Sequence, residues 1–396
     1  MAAEIQTLPA LLARNSAVHG DKPAVVANGK SITYVELDHA SRQLAARLVG
    51  AGLGKTSRVG ILMPNGTEWV LSAAAAGRVG ACLVTLSTLL RPPELLAELR
   101  TAAVTHLIAA RESRGRLYLE ELEEVAPDIA AITAEGRRHP VLPSLRKVWS
   151  FEDLPGPAVD QALVAALGEV VRPADDLVIL FTPGSRAAPK GVIHTHGNSI
   201  RATVAELACR RVGPDEHLYV PMPFFGTGGF AGGLMTALVA GATLLTEASP
   251  GPEETLTLLE RRAPGPKAGA NLLGITESFG PYCGDGLGAD SPLSKDGSCG
   301  RPFEGIEVRI VDPATRFEVP SGSVGEISLR GPNMMRAICG RRREETFDEE
   351  GFYPTGDLGA LDADGYLWYH GRLDDMIKPQ GATVYQAEVP AASRER

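Results

Sequence analysis

Short apolar runs alternating with helical stretches constrain this chain more than any other feature. Val59-Gly60-Ile61-Leu62-Met63, the run from Ala81 to Leu86, the run from Thr105 to Ala110, Leu177-Val178-Ile179-Leu180-Phe181 and Gly241-Ala242-Thr243-Leu244-Leu245 read as buried strands. Between them lie stretches with apolar residues at helical spacing. Ile5 to Val18 carries Ile5, Leu8, Leu11, Leu12 and Ala17 on one side. Thr33-x-x-Glu36 is a capping-box signature ahead of Leu37, Ala40, Leu44, Ala45 and Leu48. Glu68 to Val79, the stretch opened by Arg91-Pro92-Pro93-Glu94, the stretch that Asn198 precedes and that runs to Arg211, Leu234 to Val239 and Pro252 to Arg262 read as further helices. Asn28-Gly29 predicts a hairpin between Pro23–Ala27 and Ser31–Thr33. This rhythm predicts an α/β fold with a mostly parallel sheet. Gly115 to Pro173 is less regular, and its Glu120–Glu124 charge run reads as a solvated helix face or loop rather than a site. The pattern stops at Ala263-Pro264-Gly265-Pro266-Lys267; beyond it, residues 305–311 and 324–330 alternate as strands.

Composition narrows the partners. A net charge of −9 leaves no basic excess for nucleic acid or an anionic membrane surface. The most apolar window, Leu71 to Leu86, is short and contains Arg78, so no transmembrane segment is expected. Five scattered cysteines without a C-x-x-C pair disfavour a zinc ribbon or a disulfide framework. With no basic and apolar leader at Met1-Ala2-Ala3-Glu4, the expected compartment is cytoplasmic.

The strand Leu177–Phe181 runs into Thr182-Pro183-Gly184-Ser185-Arg186-Ala187-Ala188-Pro189-Lys190-Gly191, and Val192-Ile193 begins a second strand. A strand, a small-residue loop around a lysine and a second strand suit a phosphate cradle; a turn with a solvated lysine is the plainer alternative. It is not a Walker A loop, because Lys190 precedes Gly191 and the glycine spacing differs. His194-x-His196 puts two imidazoles on one face of a strand, an incomplete metal set that reads as a structural pair.

Four motifs in order bring in a family. The Thr182–Gly191 loop, Gly274-Ile275-Thr276-Glu277, Tyr353-Pro354-Thr355-Gly356-Asp357-Leu358 and Gly371-Arg372-Leu373-Asp374-Asp375-Met376-Ile377-Lys378 resemble the signatures of the adenylate-forming superfamily. Thr276-Glu277-Ser278-Phe279-Gly280-Pro281-Tyr282 is most similar to its fatty-acid branch, the acyl-CoA synthetases. The resemblance implies a large multi-layer α/β domain over residues 1–370, with parallel sheets and a distorted β-barrel section, and a hinge with the start of a lid at 371–396. It implies activation of a carboxylic or fatty acid with ATP and Mg²⁺ to an acyl-AMP, then transfer to CoA. Thr182, Gly184, Ser185 and Lys190 would hold phosphates, with Gly274 and Thr276 at the α-phosphate and Glu277 as the Mg²⁺ ligand. Asp357 and Arg372 would hold the ribose, Asp374 would belong to the hinge, and Phe224, Phe225 and Gly226 would line the acyl pocket.

The chain departs from the pattern in three places. Pro183, Arg186 and Ala187 stand where the family carries hydroxyl residues and a glycine, and Pro183 lacks a donor N–H. The joint at Ala263–Ala270 stands where relatives have a further βαβα section, so a partner covering that flank is expected. Most of the lid is missing, which implies loss of the CoA step and slower adenylation. Three readings follow: an acyl-CoA synthetase, a weakened or silent relative that only binds nucleotide or acid, and an unrelated P-loop phosphotransferase, disfavoured by the Lys190-Gly191 order.

Overall fold

The alternation of the first half produces a seven-stranded sheet. A computed structural model describes residues 5–154, 159–182, 189–262, 272–285 and 293–375. The strands of the first half are β1 (Pro23–Ala27), β2 (Lys30–Thr33), β3 (Arg58–Leu62), β4 (Cys82–Thr85), β5 (His106–Ala109), β6 (Lys147–Ser150), β7 (Asp176–Thr182), β8 (Lys190–Thr195), β9 (His217–Tyr219) and β10 (Thr243–Thr246). Those of the second half are β11 (Leu272–Ile275), β12 (Gly280–Gly284), β13 (Arg301–Pro302), β14 (Glu307–Val311), β15 (Gly325–Arg330), β16 (Ala337–Ile338), β17 (Tyr353–Leu361) and β18 (Leu367–Arg372).

The large sheet runs β16-β8-β7-β4-β3-β5-β6. Its five strands from β7 to β6 are parallel, whereas β8 and β16 add on antiparallel. A smaller sheet, β2-β1-β10-β9, pairs β1 with β10 and β10 with β9 in parallel. The β-rich second half forms two open antiparallel sheets, β11-β12-β13 and β14-β15-β17-β18. Among the described residues these strands do not close into a barrel. No described helix is long and apolar enough to cross a membrane. The Leu71–Leu86 window is instead the helix Thr67–Arg78 followed by β4, both buried between the layers.

Local chemistry explains most boundaries. Thr33 accepts from Glu36 N, and the Glu36 carboxylate accepts from Thr33 N at 2.8 Å, so the expected capping box forms. Glu120–Glu124 lies on the helix Tyr118–Val125, with Tyr118 and Leu122 turned inward. Two expectations are corrected. Asn198 does not precede its helix, which begins at His196. Thr195 is the cap, and Asn198 Oδ1 accepts from Thr195 N at 2.8 Å. The helix expected from Leu234 begins at Thr227 and runs through a π-helical segment, Phe230–Met235, to Ala240. Gly226–Gly229 reads as a turn, but Gly229 is there for close approach: a Cβ on it would lie 2.1 Å from the Pro223 carbonyl oxygen.

One buried asparagine ties the layers beside this segment. Asn65 donates to Met222 O at 3.0 Å and Thr246 Oγ1 at 2.9 Å, and its Oδ1 accepts from Phe224 N at 2.8 Å. Asn65→Leu removes all three bonds and buries the orphaned groups, an expected cost of roughly 2–4 kcal/mol. Urea unfolding checks this, and a loss below about 0.5 kcal/mol would rule out the lock.

Candidate active site

Three separate segments converge on one carboxylate. Glu277 sits in a single turn, Thr276–Ser278, between β11 and β12; Lys190 opens β8; Tyr353 opens β17. The Lys190 ammonium pairs with Glu277 Oε1 and donates to the Tyr353 hydroxyl at 2.6 Å. Tyr353 in turn donates to Glu277 Oε1 at 2.7 Å, closing the triangle. Glu277 is 7% exposed. Burial pushes its carboxyl up, but the Lys190 charge and the bonds from Lys190 and Tyr353 outweigh it and hold it below the ordinary range. Burial and the adjacent carboxylate drive the Tyr353 phenol far upward, so it remains a neutral donor.

The turn bearing Thr276 and Glu277 is pinned from behind. His194 Nε2 donates to Thr276 O at 2.8 Å, while His194 Nδ1 accepts from Asn198 Nδ2 at 3.0 Å. Asn198 also donates to Met334 O at 2.7 Å, and Met335 N donates to Glu277 O at 2.7 Å. Burial lowers the His194 pKa to about 4, which keeps the neutral tautomer that this arrangement requires. His196 goes elsewhere: its Nδ1 accepts from Leu8 N at 3.1 Å, holding the start of the first helix. The two imidazoles therefore do not share a site, because the strand ends at Thr195 and the alternation ends with it. Gly274 permits the tight β11–β12 approach; a Cβ there would lie 2.5 Å from the Gly280 carbonyl carbon and 2.6 Å from Pro281 Cα.

Strand periodicity brings the third motif alongside. Tyr353, Thr355 and Asp357 alternate inward on β17. Asp357 is 4% exposed and pairs with Arg372, its register partner on β18, at 2.8 Å. Burial raises the Asp357 carboxyl more than Arg372 lowers it. Gly356 adopts φ +74° beneath the Arg372 guanidinium. Asp374 is exposed, in the turn Leu373–Asp375 that follows.

Thr182 is the β7 register partner of Lys190. Thr182, Phe225 and Gly226 line a cleft of about 580 Å³ beside it. Thr227 Oγ1 lies 2.8 Å from Thr276 Oγ1, joining the head of the Thr227–Ala240 helix to the site. Phe224, expected to line the pocket with Phe225, is fully buried against Trp69 with ring centroids 5.3 Å apart. Its N–H is held by Asn65, which turns the ring into the core. Gly184 and Ser185, with Pro183, Arg186 and Ala187, lie outside the described residues, as does the Ala263–Ala270 joint. Tyr353 and Thr227 were not singled out as site residues; for Tyr353 the signal was its two-residue spacing from Thr355 and four from Asp357.

The donor set is compatible with a magnesium ion. Glu277 and the Thr276 hydroxyl offer hard oxygen ligands, and Mg²⁺ characteristically takes one or two carboxylates with the rest of its shell from substrate phosphate and water. No cluster of three or more His, Cys, Asp or Glu suited to an all-protein metal site occurs among the described residues.

A layered α/β domain in which a lysine hairpin, a threonine-glutamate turn and a buried aspartate strand converge defines a nucleotide-handling enzyme class. The sequence profile of AMP-binding enzymes matches residues 12–251 and 243–338, and the chain belongs to that family, the adenylate-forming CoA ligases. It is 29% identical to the 3-[(3aS,4S,7aS)-7a-methyl-1,5-dioxo-octahydro-1H-inden-4-yl]propanoyl:CoA ligase of Mycobacterium tuberculosis (strain ATCC 25618 / H37Rv), over 98% of this chain and 83% of that protein. Among solved structures, an anthranilate CoA ligase in complex with anthranoyl-AMP superposes with TM-score 0.79 at 22% identity, covering 98% of this chain and 83% of its own. The O-succinylbenzoate coenzyme A synthetase of Bacillus subtilis, in complex with ATP and magnesium ion, gives TM-score 0.78 at 21% identity, covering 97% and 83%.

Glu277→Leu leaves the Lys190 ammonium without its counter-charge and is expected to cost roughly 2–3 kcal/mol in urea. Adding Lys190→Met should restore at least half of that; additive losses would show the pair is not coupled. A depressed histidine pKa supplies stability that is complete above the unfolded value near 6.5 and is lost as pH falls toward 4. For the fully buried His194 the loss is on the order of 3 kcal/mol. Urea midpoints between pH 7 and pH 4 should therefore fall less steeply in His194→Gln than in the native chain, and parallel slopes would remove His194 from this account.

Proposed function

We propose that this protein activates an aliphatic carboxylic acid with ATP, forming an acyl-AMP and passing the acyl group to CoA. The carrying observation is the convergence of Lys190, Glu277 and Tyr353 within reach of the Asp357–Arg372 pair and beside an apolar cleft. In this reading a carboxylate oxygen of the acid attacks the α-phosphorus, a bond forms there, and the bond to the bridging oxygen breaks, releasing pyrophosphate. The transition state gathers charge on phosphate oxygens, so the protein's task is to position and neutralise.

Lys190 leaves Glu277 for the β- and γ-phosphates, with Thr182, Gly184 and Ser185 completing the cradle. Thr276 donates to the α-phosphate, Gly274 letting its turn come close. Glu277, once released, would hold Mg²⁺, which would offset the developing negative charge. Asp357 accepts from ribose hydroxyls and Arg372 lies over the same end. Phe225 and Gly226 flank the acyl chain, and Asp374 marks the hinge between a domain over 1–370 and the segment 371–396. The free, mostly buried thiols fit a reducing, cytoplasmic setting.

Pro183 supplies no N–H to the cradle, and this favours a second reading in which nucleotide binds and turnover is feeble. Pyrophosphate–ATP exchange on the purified chain, with Mg²⁺ and a panel of C4–C16 acids, separates the two. Acid-dependent exchange that falls at least a hundredfold in Glu277→Gln supports the first. Calorimetric ATP binding without exchange supports the second. Absence of ATP binding sinks both.

A further inference from the structure

A further buried carboxyl lies close to the site, and one of its oxygens has no partner among the described residues. Glu98, on the helix Pro92–Thr101, faces the cleft that Thr85, Phe181, Thr182, Phe225 and Gly226 also line. Glu98 is 7% exposed, and its Oε2 has no hydrogen-bond partner among the described residues. Two of the neighbouring polar groups are already committed. Glu94 pairs with Arg91 at 2.8 Å, and Thr85 Oγ1 donates to Phe225 O at 2.8 Å. Ser87 and Thr182 each add a hydroxyl, and Leu90, Pro93, Ala97, Phe181 and Phe225 make most of the rest of the wall apolar.

An unmet buried acceptor is costly, and native proteins carry few of them. A cleft built around one has a use for it when a ligand supplies the donor. Such a group also rejects the analogue lacking the donor far more strongly than an apolar wall distinguishes a methylene. We propose that Glu98 sets specificity in this cleft, and that the acid it takes carries a hydrogen-bond donor, an ammonium or hydroxyl group, at the end away from its carboxylate. This rests on reading the protein as an acid-activating enzyme. Burial, with Glu94 nearby, pushes the Glu98 carboxyl up to about 8, so an arriving ammonium also supplies the counter-charge that favours its ionised form.

The test is calorimetric titration of the purified full chain, without nucleotide, with 6-aminohexanoate, 6-hydroxyhexanoate and heptanoate, which match in length and differ at the far end. At least one donor-bearing acid should bind tenfold or more tightly than heptanoate. That preference should vanish or invert in Glu98→Leu and shrink severalfold in Glu98→Gln, which keeps the side-chain volume. Glu98→Leu should melt at or above the native temperature, since it removes an unmet buried carboxyl. Equal binding of all three acids, no binding of any, or a preference that survives Glu98→Leu overturns the proposal. Mg²⁺ATP is titrated separately. If nucleotide fails to bind while the acid preference holds, the acid-activating reading falls and the assignment of Glu98 to the cleft stands.

Discussion

The Glu277 carboxylate is the point on which the site depends. Taking it out of water costs several kcal/mol, and that cost is met only because an ammonium and a phenol from two other segments reach the same oxygen. Lys190 arrives from the β7–β8 hairpin of the large sheet, and Tyr353 from the open sheet of the second half. Neither sheet alone can bury Glu277. The interaction that neutralises the carboxylate therefore also docks the β-rich half on the α/β half.

Support for that point is passed back into the core through neutral groups. The Thr276–Glu277 turn hangs on His194, whose imidazole is held by Asn198 at the capped start of its helix. The His194 ring packs edge-on against Phe279, Phe279 against Phe230, and Phe230 against Trp69, the largest fully buried side chain. A charged imidazole in this chain would lose its acceptor nitrogen and break with Asn198, so burial and hydrogen bonding enforce the same protonation state. The Thr276–Glu277 turn is held in place because the groups behind it have only one satisfying arrangement.

Much of this was legible in the sequence, for reasons that differ by residue. The strands were readable because fully buried parallel strands are continuous apolar runs, and the Thr33–Glu36 box because capping chemistry is local. The four signatures were readable because they keep their order and most of their own residues. What escaped was set by tertiary contact. Gly226–Gly229 has turn composition, yet the missing Cβ of Gly229 is what lets the helix lie against Pro223. Phe224 and Phe225 are adjacent in sequence and opposite in fate, since Asn65 fixes the Phe224 backbone and sends its ring to Trp69. No periodicity separates them. Glu98 sits in an ordinary amphipathic helix, and only the cleft above it makes its isolation visible.

Lys190 and Glu277 are paired here, and the proposed chemistry needs them apart. The two states differ by charge count. In the paired state a cation, an anion and a neutral phenol sum to zero in a largely buried space. A polyphosphate would bring several negative charges and draw Lys190 from a single carboxylate, and Glu277 would then be free to hold a divalent cation. Tyr353, already bonded to both, can keep its bond to either one through the exchange. In the proposed chemistry the pair would keep two ionised groups in place and oriented until ligands of the right charge replace each partner. That is preorganisation by counter-ion, and it explains why a phenol rather than a third charged group completes the triangle.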